Sequence, residues 1–268
     1  MTAYVFGDNE IAAQRLRFLA ELYDASTRTF VRAWARSQHG EIKVVDLGCA
    51  RGYTTRLLAE ELRGDQTIGL DISEAFVAEA QRESGACANV TFMCHDVAPV
   101  PFPVTPVDVL FCRLLLTHVV DPRALIASWA TQLRPGGVIL MEEVEWIRTN
   151  SAVFTAYFGM QRALLQHQEN CLDIGPMLDA LPVPPQLCKR ASHVRQIPVP
   201  AAQAARMFAL NFQTWQQHPF VQSTFAAAQI RQIEQELQML ATEPQDDTEI
   251  EWGMRQLVYE RMSTSQRS

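Results

Sequence analysis

The segment from Ile42 to Asp71, IKVVDLGCARGYTTRLLAEELRGDQTIGLD, leaves the chain few architectures to adopt. A short apolar run, Val44-Val45, ends on Asp46 and gives way to a glycine-rich turn, Gly48-Cys49-Ala50-Arg51-Gly52. Leu57, Leu58 and Leu62 then recur at helical spacing, and a second apolar run, Thr67 to Leu70, finishes on Asp71. Strand, tight turn, helix, strand and acid make one βαβ unit of the kind that holds nucleotide cofactors. Glycine at 48 and 52 lets the backbone come close to a ligand where a Cβ would collide. Asp71 falls about 20 residues past the turn, where such units place the carboxylate that takes ribose hydroxyls.

The same alternation continues. Val90 to Cys94 reads as a third strand ending at His95-Asp96, and Val107 to Phe111 as a fourth ending at Cys112-Arg113. Ser73 suits the N-cap of a helix over 74–84, and Asp121-Pro122 opens another that runs to Leu133. Val138 to Met141 is a fifth strand ending at Glu142-Glu143. Strands alternating with helices mean a parallel sheet covered on both faces. Right-handed crossovers then bring every strand C-terminus to one rim, where ligands of open α/β sheets bind. That rim would carry Asp46 and the turn, Asp71, His95-Asp96, Cys112-Arg113 and Glu142-Glu143.

Two cofactor classes suit a βαβ unit. A dinucleotide fingerprint reads G-x-G-x-x-G and seats a pyrophosphate on the helix N-terminus. Here the glycines are spaced G-x-x-x-G, and Asp46 beside the turn would repel a phosphate while suiting an ammonium group. S-adenosylmethionine (SAM) carries an α-amino group and a sulfonium and no phosphate. The segment DLGCARG resembles the first motif of class I SAM-dependent methyltransferases, with Ala50 in place of the middle glycine. GLDIS (69–73), CHDVAPVPF (94–102), DVLFCRLLLTHVVDP (108–122) and LRPGGVILMEE (133–143) resemble that family's later motifs, in the same order over about 100 residues. YVFGDNEIAAQRLRFLAEL and IGPML resemble parts of its small-molecule subgroup.

The resemblance implies a Rossmann-like, seven-stranded, mostly parallel sheet with helices on both faces and a helical cap. The chain is then a single methyltransferase domain over 1–268. Its SAM-binding core spans about 36–149, and strands six and seven, an antiparallel edge, lie near 189–199 and 252–261. Residues 1–35, 150–186 and 200–248 form the cap. SAM is the implied cofactor and S-adenosylhomocysteine (SAH) the product. By motif the cofactor residues are Asp46, Gly48, Cys49, Ala50, Gly52, Asp71, Ile72, Asp96, Val97, Cys112 and Arg113, with Asp71 on the ribose and Asp96 and Val97 on the adenine. Tyr4 and Arg15 would close over the methionine carboxylate.

Methyl transfer from a sulfonium is an in-line displacement that needs alignment and exclusion of water, and a general base only for a protonated acceptor. His118 is the candidate base and Glu142 an alternative. The aromatic run Phe208, Phe212, Trp215, Phe220 and Phe225 suits a core, or the wall of an apolar substrate pocket. His167, His193 and His218 have no partner set of metal-ligand spacing, so no metal is expected.

Bulk properties narrow the partners. A net charge of −7, a pI near 5.4 and no Lys/Arg block argue against a nucleic-acid substrate. No apolar run reaches the roughly 18 residues of a membrane span, and MTAYVFGDNE has no leader-like core. Six cysteines without a CxxC pair suit a reduced, cytoplasmic protein. The expectation is a methyltransferase acting at O, N or C of a small-molecule acceptor, as a monomer or homodimer. The competing readings are a non-catalytic SAM- or nucleoside-binding module and an NAD(P)-dependent oxidoreductase.

Overall fold

The computed structural model describes residues 10–35, 41–85, 87–243 and 247–263. Tyr4 lies outside them. Alternating apolar strands and amphipathic helices build one seven-stranded sheet in the order β3-β2-β1-β4-β5-β7-β6. The parallel half holds β1 (Lys43–Leu47), β2 (Gln66–Asp71), β3 (Val90–Cys94), β4 (Val107–Arg113) and β5 (Leu133–Thr149). Chain order reverses between β1 and β4, so the rim above β1 is the switch point where α/β sheets take ligands. The far edge is antiparallel: β7 (Ile250–Arg261) lies between β5 and β6 (Leu187–Pro198).

Period-2 alternation sorts the strand residues onto two cores. Val44, Val109, Phe111, Leu140 and Val258 face Phe30 and Val31 of α1 (Glu10–Ala35) and Leu58 and Leu62 of α2 (Tyr53–Leu62). Their neighbours Val45, Leu110, Cys112, Ile139 and Met141 pack on Ile126 and Trp129 of α4 (Pro122–Ala130). Helix α3 (Glu74–Glu83) crosses between β2 and β3, with Ser73 Oγ accepting from Phe76 N at 3.3 Å as its cap. A third core, rich in aromatic rings, joins α5 (Ala152–His167), α7 (Ala201–Trp215) and α9 (Ala227–Thr242) to β7 beyond the rim. Two short helices, α6 (Gly175–Ala180) and α8 (Pro219–Thr224), complete the described α-helices.

Two sequence expectations are corrected. The N-terminal region reads as two helices parted after Asp24, yet α1 runs unbroken for 26 residues. Arg28 Nε donates to Asp24 across the expected break, and Thr27 Oγ1 donates to Glu142 on the sheet, so tertiary anchoring overrides the weak helix propensity there. Strand β5 does not end at Met141. Antiparallel pairing with β7 carries it on to Thr149, which leaves Glu142 and Glu143 inside a strand rather than on the rim.

Candidate functional site

The turn after β1 is shaped by left-handed backbone. Gly48, Ala50 and Gly52 have φ of 71°, 45° and 75°. Glycine tolerates this region, whereas alanine holds it at a cost of about 1–2 kcal/mol. Gly52 serves packing and does not face a ligand: a Cβ there would stand 2.4 Å from Phe92 Cε1. At Gly48 a Cβ would meet the Leu115 side chain at 3.0 Å.

Hydrogen bonds tie the turn to the sheet. Gly48 N and Cys49 N both donate to Leu70 O, at 2.8 and 3.0 Å, and Gly52 N donates to Cys49 O at 2.8 Å. Ala50 N donates to Asp71 Oδ2 at 2.8 Å, while Ser73 N donates to Asp71 Oδ1 at 2.9 Å. Half-buried Asp71 thus clasps the first turn to the loop after β2.

A cavity of about 560 Å³ opens at this clasp and runs under the cap. Gly48, Cys49, Ala50, Asp71, Ile72 and Val97 line its outer end. Ile72, 57% exposed, forms the lip, and Val97 is buried. His95 is on the wall and Asp96 is not; Asp96 Oδ1 accepts from Ala98 N at 2.9 Å, which shapes the loop between two wall residues.

Asp46 is corrected from its expected place. It is 2% exposed, is not on the wall, and accepts from Thr55 Oγ1 at 2.7 Å. Burial pushes its pKa up to about 7, against the pull of Thr55 and Arg113. It fixes the start of α2 rather than meeting a ligand. Cys112 is corrected likewise: alternation along β4 turns it into the core, whereas its neighbour Arg113 reaches the cavity. Arg113 donates to Thr27 Oγ1 and Thr54 Oγ1, both at 2.9 Å, with its guanidinium 5.4 Å from the Tyr23 ring centre.

Glu142 is a strut. It lies in register between Arg113 of β4 and Gln256 of β7, 1% exposed. Thr27 donates to one oxygen at 2.5 Å and Gln256 Nε2 to the other at 2.6 Å. Burial raises its pKa, with Arg113 and these donors opposing. One oxygen holds α1 on the sheet and the other is tied to β7, and Glu142 is not on the cavity wall, so it is no candidate base. Glu143 points to the opposite face, where Leu115 N and Leu116 N donate to its Oε1 at 2.9 and 2.8 Å. Burial lifts its pKa to about 8, and its Oε2 has no hydrogen-bond partner. This carboxyl sets the loop that carries His118.

His118 ends a 3-10 turn (Leu116–His118) and lines the cavity. Burial, followed by the Arg15 charge, lowers its pKa to about 3. The imidazole is neutral at physiological pH, and a base this weak is far from the operating pH that favours proton transfer. Arg15 also lines the cavity, 5% exposed.

The inner end draws on residues that belong to no sequence motif: Val144, Tyr157, Gln161, Asn170, Asn211 and Trp252. Of the aromatic run, Phe208 alone reaches the wall. Phe212 and Trp215 are buried in the cap core, Phe220 stacks on His167 at 4.3 Å, and Phe225 packs against the core. Distance in sequence hides this grouping, because α5, α7 and β7 meet only in the tertiary fold. Among the described residues no group of three or more His, Cys, Asp or Glu is placed to hold a metal, and no helix is long and apolar enough to cross a membrane.

Known proteins match this geometry. Residues 45–141 match the methyltransferase-domain family. A trans-aconitate 2-methyltransferase of Acidovorax sp. (strain JS42) is 37% identical over 117 residues, 43% of this chain and 44% of that protein. A ubiquinone biosynthesis O-methyltransferase of Coxiella burnetii (strain Dugway 5J108-111) is 28% identical over 102 residues, 38% of this chain and 43% of its own. The chain therefore spans less than half the length of these curated relatives. In fold, Bacillus halodurans BH2331, a methyltransferase by assignment, superposes with a TM-score of 0.58 at 16% identity, covering 89% of this chain and 100% of that one. Residues 45–141 are thus similar to the methyltransferase-domain family, and they lie on a Rossmann-like, seven-stranded sheet.

Proposed function

We propose that the chain transfers the methyl group of SAM to an O, N or C atom of a small-molecule acceptor, as a single methyltransferase unit. The observation that carries this reading is the state of the first turn. Its N–H groups at 48, 49, 50 and 52 are all bonded within the protein, so they offer no cradle to a pyrophosphate. This disfavours an NAD(P) reading on firmer ground than the charge of Asp46, which is buried away from the cavity. The residues fit a sulfonium nucleoside: the Asp71 carboxylate stands on the cavity wall where ribose hydroxyls would meet it, and Ile72 and Val97 offer apolar faces to adenine. Arg15 suits the methionine carboxylate, and Asp96, itself off the wall, holds the loop that brings Val97 to the adenine.

The bound cofactor supplies an electrophilic methyl group on a good leaving group. The chain's own part is to align the acceptor and exclude water, which lowers such barriers by roughly 7–11 kcal/mol. The enclosed inner chamber suits that role, with cap walls drawn from within 1–35, 150–186 and 200–248. A cavity that continues beyond the nucleoside end also favours turnover over a binding-only module. Six free cysteines suit a reducing, cytoplasmic setting.

Calorimetry with SAM, SAH and NADH tests the cofactor, and labelled SAM with a metabolite panel tests turnover. Binding of NADH in preference to SAH would overturn the reading, and binding of SAH without transfer to any acceptor would leave only the module.

A further inference from the structure

We infer that the acceptor is an uncharged ring compound bearing hydroxyl or amine donors, and not a polycarboxylate. This rests on the methyltransferase reading above and narrows it. Three observations carry it.

The inner chamber is walled by aromatic rings already fixed against one another. Tyr157 stacks on Phe208 at 4.8 Å, and Phe208 on Trp252 at 5.9 Å, with Phe158 edge-on to Phe208 at 4.9 Å. Such walls match a flat apolar ligand without needing to reorganise.

Charge is scarce there. Among the described residues lining the cavity, Arg15 is the only charged side chain besides Asp71 at the outer end and Arg113. Arg113 is engaged by Thr27, Thr54 and the Tyr23 ring. His118 is neutral. Arg15 can answer one carboxylate, either that of the cofactor or that of the acceptor. A tricarboxylate would bury its other charges against rings and amides, and an unpaired buried charge is strongly disfavoured.

The polar groups that remain include two carboxamides, beside the Thr117 and Tyr157 hydroxyls and the indole N–H of Trp252, which has no hydrogen-bond partner. Asn211 Nδ2 donates to Tyr157 Oη at 2.5 Å, and its Oδ1 has no hydrogen-bond partner. Asn170, 8% exposed, likewise has an unpartnered Oδ1. Both residues border the chamber. Buried acceptors of this kind favour a ligand that brings O–H or N–H donors.

In the transfer, a lone pair of the acceptor oxygen or nitrogen forms the bond to the methyl carbon. The carbon–sulfur bond breaks with its electron pair on sulfur, and the acceptor's proton passes to water.

The test uses the full chain loaded with SAH, and naphthalene-2,3-diol, naphthalene and trans-aconitate as probes. Binding is read by calorimetry, and labelled methyl transfer from SAM is read for the diol and for trans-aconitate. The diol is expected to bind and accept label with kcat/KM at least 100-fold above that of trans-aconitate. Asn211→Leu should weaken the diol at least five-fold while changing naphthalene less than two-fold, with SAH affinity retained. If Asn211→Leu does not fold, Asn170→Leu carries the same comparison. Equal or faster labelling of trans-aconitate overturns the inference, as does SAH binding with no binding of the diol. Failure to bind SAH at all sinks the methyltransferase reading and this inference with it.

Discussion

Asp71 offers the sharpest test of the site, because its two oxygens do different structural work from the role proposed for them with ligand. Each accepts a backbone N–H, from Ala50 at 2.8 Å and from Ser73 at 2.9 Å. Hydrogen bonds to a charged group are worth ~1.5–3 kcal/mol, and half-exposure reduces this to about 1 kcal/mol each. Asp71→Ala removes both bonds but opens space in which water can meet the two donors. Asp71→Asn keeps the shape and supplies one acceptor oxygen, so its NH2 must face the other backbone N–H. That donor–donor contact costs about 1–3 kcal/mol, which makes the isosteric change at least as harmful to the turn as truncation. In a chain of this size ~1–2 kcal/mol is a fall of roughly 2–8 °C in Tm. Loss of two ribose contacts to a carboxylate adds ~3 kcal/mol or more to binding, a rise in SAH Kd of at least about 100-fold. Thermal unfolding of both variants with and without SAH, together with calorimetric titration, reads each effect separately. If Asp71→Asn melts and binds SAH like the unaltered protein, both the clasp and the ribose assignment are wrong.

Ala50→Gly should relieve the left-handed strain at φ 45° and stabilise the protein by about 1 kcal/mol, less the entropy glycine adds to the unfolded chain. A fall in Tm on this change would show that the methyl group is packed to advantage. Glu143, with a folded pKa of about 8 against an ordinary 4.5, keeps its proton in the fold where the unfolded chain has lost it. Its contribution is therefore fully favourable below pH 4.5 and is lost as pH rises through 8, at ~1.4 kcal/mol per pH unit. Glu143→Gln keeps the acceptor for Leu115 and Leu116 and should flatten denaturant stability between about pH 5 and 8; an unchanged slope would refute it. His118 has the opposite sign. Its pKa of about 3 against an ordinary 6.5 means that the unfolded chain binds the extra proton, so this contribution is lost as pH falls from 6.5 towards 3. The kcat profile should accordingly show no inflection from His118 between about pH 6 and 8, and a step there that vanishes in His118→Gln would restore it as a base.

Much of the outer end was legible because it is local. The β1 turn, Asp71, Ile72 and Val97 follow strand ends, and a strand end followed by a glycine turn is a short-range pattern that needs no partner. The sequence also marked Ser73 and Asp121 as helix caps, and both side chains accept the expected backbone N–H. Misplacement began where burial depended on a strand far along the chain. Glu142 and Glu143 read as rim acids until β7, more than 100 residues later, extends β5 past them. Cys112 and Asp46 shared a motif with true wall residues, and only the facing direction of each side chain separated them.

The alternation of strand and helix, the parallel half of the sheet, and the turn that lines the outer end of the cavity were all readable in the amino-acid sequence. These follow from periodicity and backbone preference, which act over a few residues. The tertiary structure alone decided which carboxylates are struts, which histidine is kept neutral, and how Tyr157, Phe208, Asn211 and Trp252 come to enclose one chamber. Those outcomes depend on burial and on contacts between distant segments, and neither quantity exists until the chain has closed on itself.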